Sequence, residues 1–147
     1  MLCLLGAIFW LSSAAAQDPK FRTHIKPIFD ANCLACHGSS TPEYEQFSAE
    51  KEKWLKQGMG MRMESFRHLA SFVVWPNTGA LMRRLDDGKS TKDGKPGNMY
   101  EYLGSTDAER QRNLAAFKAW VGVWTLKRLP ELTREELLEL NKVRERY

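Results

Sequence analysis

Apolar side chains along this chain recur at three- and four-residue intervals, and strand-like alternation is absent. That spacing is the helical one, since an α-helix turns every 3.6 residues while a half-buried strand repeats every two. Phe21, Ile25, Ile28 and Phe29 make the first apolar stripe and predict a helix from about Thr23 to Asn32. Thr23 is its candidate N-cap, and Pro27 falls in the first turn, where a missing N–H costs least. After a turn-rich break, Gly38 to Pro42, the charged stretch Glu43 to Gln57 predicts a helix with Tyr44, Phe47, Trp54 and Leu55 on or near one side. Gly58-Met59-Gly60 interrupts it. Arg62 to Val74 is periodic again, with Phe66, Leu69 and Val73 inward, and stops at Trp75-Pro76. A short helix is expected from Thr78 to about Asp86, then an exposed loop over Asp87 to Asn98, rich in Gly, Lys, Asp and Ser.

The clearest helix opens with the capping box Thr106-x-x-Glu109 and carries Leu114, Phe117, Val121 and Trp124 at helical spacing. Leu129-Pro130 closes that region. A second box, Thr133-x-x-Glu136, starts a terminal helix with Leu137, Leu138 and Leu140. The fold class expected from these patterns is all-α.

The first residues follow another logic. An apolar run from Leu2 leads into Ala14-x-Ala16, which reads as a signal peptide over residues 1–16, cut after Ala16, although the usual positive charge at the start is missing. The run falls short of the ~20 apolar residues of a spanning helix, so membrane contact through it requires that it stay uncleaved. Residues 17–147 then form one domain, as a chain of 147 residues suggests. The net charge is +4 and scattered, without a Lys/Arg run of five, which argues against nucleic-acid binding and suits docking to acidic proteins.

Cysteine usage changes the picture from fold to chemistry. Cys3 leaves with the leader, so the remaining pair is Cys33 and Cys36, with His37 directly after it. Cys-x-x-Cys-His is the spacing for covalent haem attachment. Each thiol adds across a vinyl group, and the adjacent imidazole supplies nitrogen to the iron. A zinc site needs two further ligands, and there is no second cysteine pair. A thiol–disulfide site would prefer a βαβ context, which is missing.

The opposite axial position has several candidates: Met59, Met61, Met63, Met82, Met99, His24 and His68. Met63 and Met82 fit core filling, and His68 sits amid apolar helix residues. Met59-Gly-Met61-Arg-Met63 invites a Cu(I) reading, though flexible packing explains it as well. Met99 differs because it follows the Pro96-Gly97-Asn98 turn, outside any strong helix.

Lys26 to Gly38 around the haem motif, Pro96-Gly-Asn-Met99-Tyr100, and the aromatic helix of Phe117 and Trp120 together resemble a class I cytochrome c. The resemblance covers roughly Phe21 to Trp124. It implies a helical domain wrapped around one covalently attached haem c, with Cys33 and Cys36 as attachments, His37 as proximal ligand and Met99 as distal ligand. With both axial positions filled by the chain, an electron carrier, not an enzyme, working between a donor and an acceptor protein is expected, and export together with covalent haem places it in the periplasm. The rival readings are a haem subunit of a larger membrane-associated redox complex, and a haem enzyme or sensor with an open sixth position. The charged stretch Glu43 to Met63 and the helix after Pro130 depart from a minimal class I domain. They cover the haem, bind a partner or pack. Lys89, Lys92, Lys95, Arg83 and Arg84 flank the Met99 loop and are candidates for steering an acidic partner.

Overall fold

A computed structural model describes residues 19–147. The leader expected over residues 1–16, and Cys3 within it, lie outside the described residues. The rest is helical, with no strand among the described residues. Eight α-helices follow in order: α1 Lys26–Asn32, α2 Leu34–His37, α3 Tyr44–Ala49, α4 Lys51–Lys56, α5 Phe66–Ser71, α6 Ala80–Leu85, α7 Asp107–Val121 and α8 Arg134–Asn141. Short turns of 3-10 helix lie at Tyr100–Leu103, Leu129–Glu131 and Lys142–Glu145.

The first helix begins earlier than its apolar stripe suggests. Phe21–Ile25 forms a π-turn running directly into α1, so Thr23 is inside the helix and not its N-cap. Pro27 accounts for this: it has no N–H to donate to residue 23, and its ring crowds that carbonyl, so the preceding turn widens. The Lys26 N–H reaches back five residues to the Phe21 carbonyl. Phe21, Ile25 and Phe29 are buried as the spacing requires.

The charged stretch forms two short helices instead of one. Glu50 leaves helical geometry at φ −128°, ψ 38° and separates α3 from α4. Phe47 alone of its four apolar residues is buried, and Leu55 stays 54% exposed. Residues 61–64 are not helical either; Ser65 caps α5 by accepting the His68 N–H at 3.2 Å.

Helix α7 is the centre of the packing. Thr106 accepts the Glu109 N–H at its start, and Gly122, at φ 87°, ends it before Trp124, which the sequence spacing had placed on the same stripe. Leu114, Phe117, Trp120 and Val121 are buried against Phe21, Ile25 and Phe29, and each such side chain contributes about 1.5–3 kcal/mol by leaving water. The terminal helix closes over this core. Its capping box is complete, with Thr133 and Glu136 bonded reciprocally, and Leu140 and Val143 are buried. The Trp120 indole donates to the Arg146 carbonyl at 3.1 Å, and the Phe21 N–H donates to the same oxygen at 2.8 Å. The two ends of the described chain are thus tied to one another and to α7.

Candidate functional site

Cys33, Cys36 and His37 sit on one turn of helix. The Cys33 N–H still bonds to Phe29 of α1, while Cys36 and His37 both donate to the Cys33 carbonyl, at 3.2 and 3.0 Å. Residues three and four apart share a helix face, so the two thiols and the imidazole project together. Both thiols are free; Cys33 is half-buried against the core and Cys36 is exposed. Burial, reinforced by the neighbouring Cys36, pushes the Cys33 thiol up to about 11, which keeps it protonated at neutral pH.

His37 is set from outside its own helix. Its Nδ1 lies 2.7 Å from the Met61 carbonyl, and since a carbonyl only accepts, Nδ1 carries the proton. Nε2 is then the nitrogen with a free lone pair. Burial lowers the imidazole's pKa and the Met61 bond opposes that only in part, so the ring is neutral at pH 7, the form a metal takes. The same segment is bonded along its length: Gly60 N–H to the Cys36 carbonyl at 2.8 Å, Met63 N–H to the His37 carbonyl at 2.9 Å, and Arg62 N–H to Pro42. A side chain at position 60 would put its Cβ 2.2 Å from His37 Cε1, so glycine is required for the backbone to lie on the ring. The backbone that carries Met59, Met61 and Met63 is therefore tied to the helical turn that carries His37.

Met99 is held by a separate set of contacts. Its N–H donates to the Arg84 carbonyl at 2.9 Å, and it precedes the Tyr100–Leu103 turn, which packs on α1, α6 and α7. Gly97 fits between them because its Cα lies against α6; a Cβ there would sit 2.4 Å from the Arg83 and Arg84 carbonyls. Met99 and Cys33 are partly buried against the same core cluster. The remaining candidates are engaged elsewhere. Met82 is buried in the core, His24 accepts the Lys20 N–H at the exposed start of the chain, and His68 Nε2 lies 3.3 Å from Glu43 Oε2.

The sequence reading missed three contributors. Gly60 and the Met61 carbonyl orient the histidine, and neither carries a chemical signal that a sequence pattern would reveal. Asp86, buried at the end of α6, accepts from the Gly88 and Ser90 N–H groups at 2.9 and 3.1 Å and from the Trp124 indole at 2.7 Å. It anchors the start of the loop that ends at Met99. Of the basic residues flanking that loop, Lys89 is paired with Asp87 at 2.9 Å. Two free thiols and a neutral imidazole with one orienting hydrogen bond form a donor set that fits a covalently held haem. Among the described residues no cluster of three His, Cys, Asp or Glu side chains suits a bare metal ion.

A family model described as PccH cytochrome c matches residues 20–147. The chain is also similar to the solved structure of the monoheme cytochrome PccH from Geobacter sulfurreducens. The two are 61% identical with a TM-score of 0.78, over 83% of this chain and 95% of that one. No curated protein matches it.

Proposed function

The chain belongs to the PccH cytochrome c family, a family of electron-transfer haem proteins, and on that premise we propose that it carries a single haem c, held covalently through Cys33 and Cys36, as a periplasmic electron carrier. Each thiol would add across a haem vinyl group, its sulfur bonding one vinyl carbon and its hydrogen going to the other. His37 Nε2 would hold the iron as proximal ligand, and the Met99 sulfur would hold it as distal ligand. The haem supplies a one-electron iron couple.

The observation that carries the axial assignment is the bond from His37 Nδ1 to the Met61 carbonyl. It orients the ring, leaves Nε2 free and raises the ligand's basicity, as outer hydrogen-bond partners do. It also ties the 59–63 backbone to the turn that carries the proximal histidine, whereas a distal ligand would come from a separate segment. Met99 lies on a different segment, fixed through Arg84 and Asp86. Filling both axial positions from the chain leaves no position for substrate and favours outer-sphere electron transfer; methionine in place of a second histidine raises the potential. Periplasmic location is proposed from the signal-peptide pattern read in the sequence of residues 1–16 together with covalent haem. The partners are a donor and an acceptor redox protein, and the modest positive charge suits acidic ones.

Visible and near-infrared spectra of Met99→Ala, Met61→Ala and Met59→Ala test the assignment. The expected result is a sulfur–iron band in the wild type and in the latter two variants, and its loss in Met99→Ala. A band that persists in Met99→Ala overturns the distal ligand; a high-spin wild type that binds carbon monoxide readily overturns the carrier role.

A further inference from the structure

Apart from the haem motif, three arginines converge with a single carboxylate, Glu131, near them. Arg83 and Arg84 end α6, and Arg128 precedes the Leu129–Glu131 turn. With Ala80 they line a concavity of about 280 Å³. A second concavity, of about 410 Å³, adjoins it across Arg83 and reaches Ser90, Thr91, Lys92 and Lys127, with Glu131 as the carboxylate on its wall.

Arg83 is held in place from behind. Its Nη1 donates to the carbonyls of Thr78, Leu126 and Lys127 at 3.1, 3.1 and 3.2 Å. Its Nε and Nη2 have no hydrogen-bond partner among the described residues. Arg84 Nη1 donates to Asn98 Oδ1 at 2.9 Å. The arginines that pair with carboxylates, Arg62 and Arg110, lie elsewhere. Glu131 is occupied in part by the Arg128 N–H, at 2.6 Å. Burial, and then the charges of Arg128 and Arg84, push the Arg83 guanidinium below its ordinary value, with Glu131 offsetting this in part.

Like charges gathered on a concave surface repel one another, and a folded chain ordinarily relieves that with an acidic side chain. Here Glu131 gives that relief only in part, because its carboxylate also accepts the Arg128 N–H. Guanidinium groups present parallel N–H donors that match phosphate oxygens, and clusters of them recognise phosphate-bearing ligands. A concavity ringed by three of them suits a compact, multiply charged group better than carboxylates spread over a protein surface.

We propose that the cleft of Arg83, Arg84 and Arg128 is a binding site for a phosphate-class oxyanion, with the Lys92 side accommodating a second phosphoryl group; the Lys127 ammonium is paired with Glu136. The site is independent of the haem assignment. Its consequence for the iron is not: Arg84 is bonded to Asn98 through its side chain and to the Met99 N–H through its carbonyl. If Met99 is the distal ligand, occupancy is sensed at the haem, and a bound anion favours the more positive ferric state. By linkage the oxidised protein then binds the anion more tightly.

The test titrates pyrophosphate into the intact holoprotein at fixed ionic strength, followed by calorimetry and by a redox titration. Saturable one-to-one binding is expected. Arg84→Gln and Arg128→Gln should each weaken it about ten-fold or more, since each removes a charge-assisted contact. Lys53→Gln, on the remote helix α4, should leave it unchanged. The midpoint potential should fall with pyrophosphate in the wild type. A response that never saturates, or equal binding by the two arginine variants, overturns the site. Displacement of pyrophosphate by poly-glutamate at comparable charge concentration also overturns it, in favour of a protein-docking surface. Saturable binding with an unmoved potential overturns the link to Met99 and not the site.

Discussion

His37 donates its Nδ1 proton to the Met61 carbonyl, and Gly60 lies flat against the ring because it has no side chain. A Gly60→Ala variant must displace either the imidazole or the segment bonded to it, since its Cβ would fall 2.6 Å from Nδ1 as well. Overpacking of this kind costs about 1–3 kcal/mol. The expected outcome is an unfolding free energy lower by that amount, read from denaturant titration, together with an altered low-spin haem spectrum. A variant with both unchanged would show that the ring is not held this way. The motif that made the site legible, Cys33 to His37, is local: one helical turn places all three groups. The residues that aim the histidine were illegible because glycine and a backbone carbonyl carry no pattern of their own.

At the scale of elements, the acidic pair at the end of α6 governs the Met99 loop. Asp86 accepts three N–H donors that would be left without a partner in Asp86→Ala, so that substitution should cost about 3 kcal/mol. Hydrogen exchange over residues 87–98 should accelerate, and the sulfur–iron band should weaken before the protein unfolds. Asp87 answers to pH. Burial would raise its carboxyl, but hydrogen bonds from Lys89 and Gln111 and the charge of Lys118 together hold it below the usual carboxylate range. A carboxyl lowered in the folded state contributes stability above its unfolded value, roughly pH 3.9, and that contribution disappears as pH falls through the folded value. Urea midpoints measured against pH should therefore fall more steeply at acid pH in the wild type than in Asp87→Asn, and run parallel above pH 6. The capping box at Thr133 and the Thr106 N-cap were legible because each joins residues three apart, but the reciprocal half expected at Thr106 is not formed: Glu109 accepts the Ser105 N–H instead. The break at Glu50 was not: charge periodicity continues through it, and only the backbone geometry divides α3 from α4.

For the whole molecule, the C-terminal segment is structural. Leu140 and Val143 are buried, Arg146 bonds both Trp120 and Phe21, and Phe21 stacks on Tyr147 with centroids 6.2 Å apart. Removing residues 133–147 strips two fully buried side chains worth about 1.5–3 kcal/mol each, with the indole bond besides. That is most of the stability of a small domain. Thermal unfolding followed by circular dichroism should lose its cooperative transition; a truncated protein that melts sharply near the wild-type temperature would contradict this. The family match spans residues 20–147, so the charged stretch and the terminal helix that set this chain apart from a minimal class I domain belong to the family it joins.

The sequence by itself determined the helical class, the caps at Thr106 and Thr133, and the haem motif. Each depends on side chains within four residues of one another, and such relations survive whatever the rest of the chain does. Tertiary structure decided the rest. It brought Met61 to His37 across 24 positions, Trp124 to Asp86 across 38, and Arg146 to Trp120 across 26. It also gathered Arg128 beside Arg83 and Arg84. Contacts of that range arise from how helices pack, and packing depends on the shape of every surface at once, which no local spacing encodes.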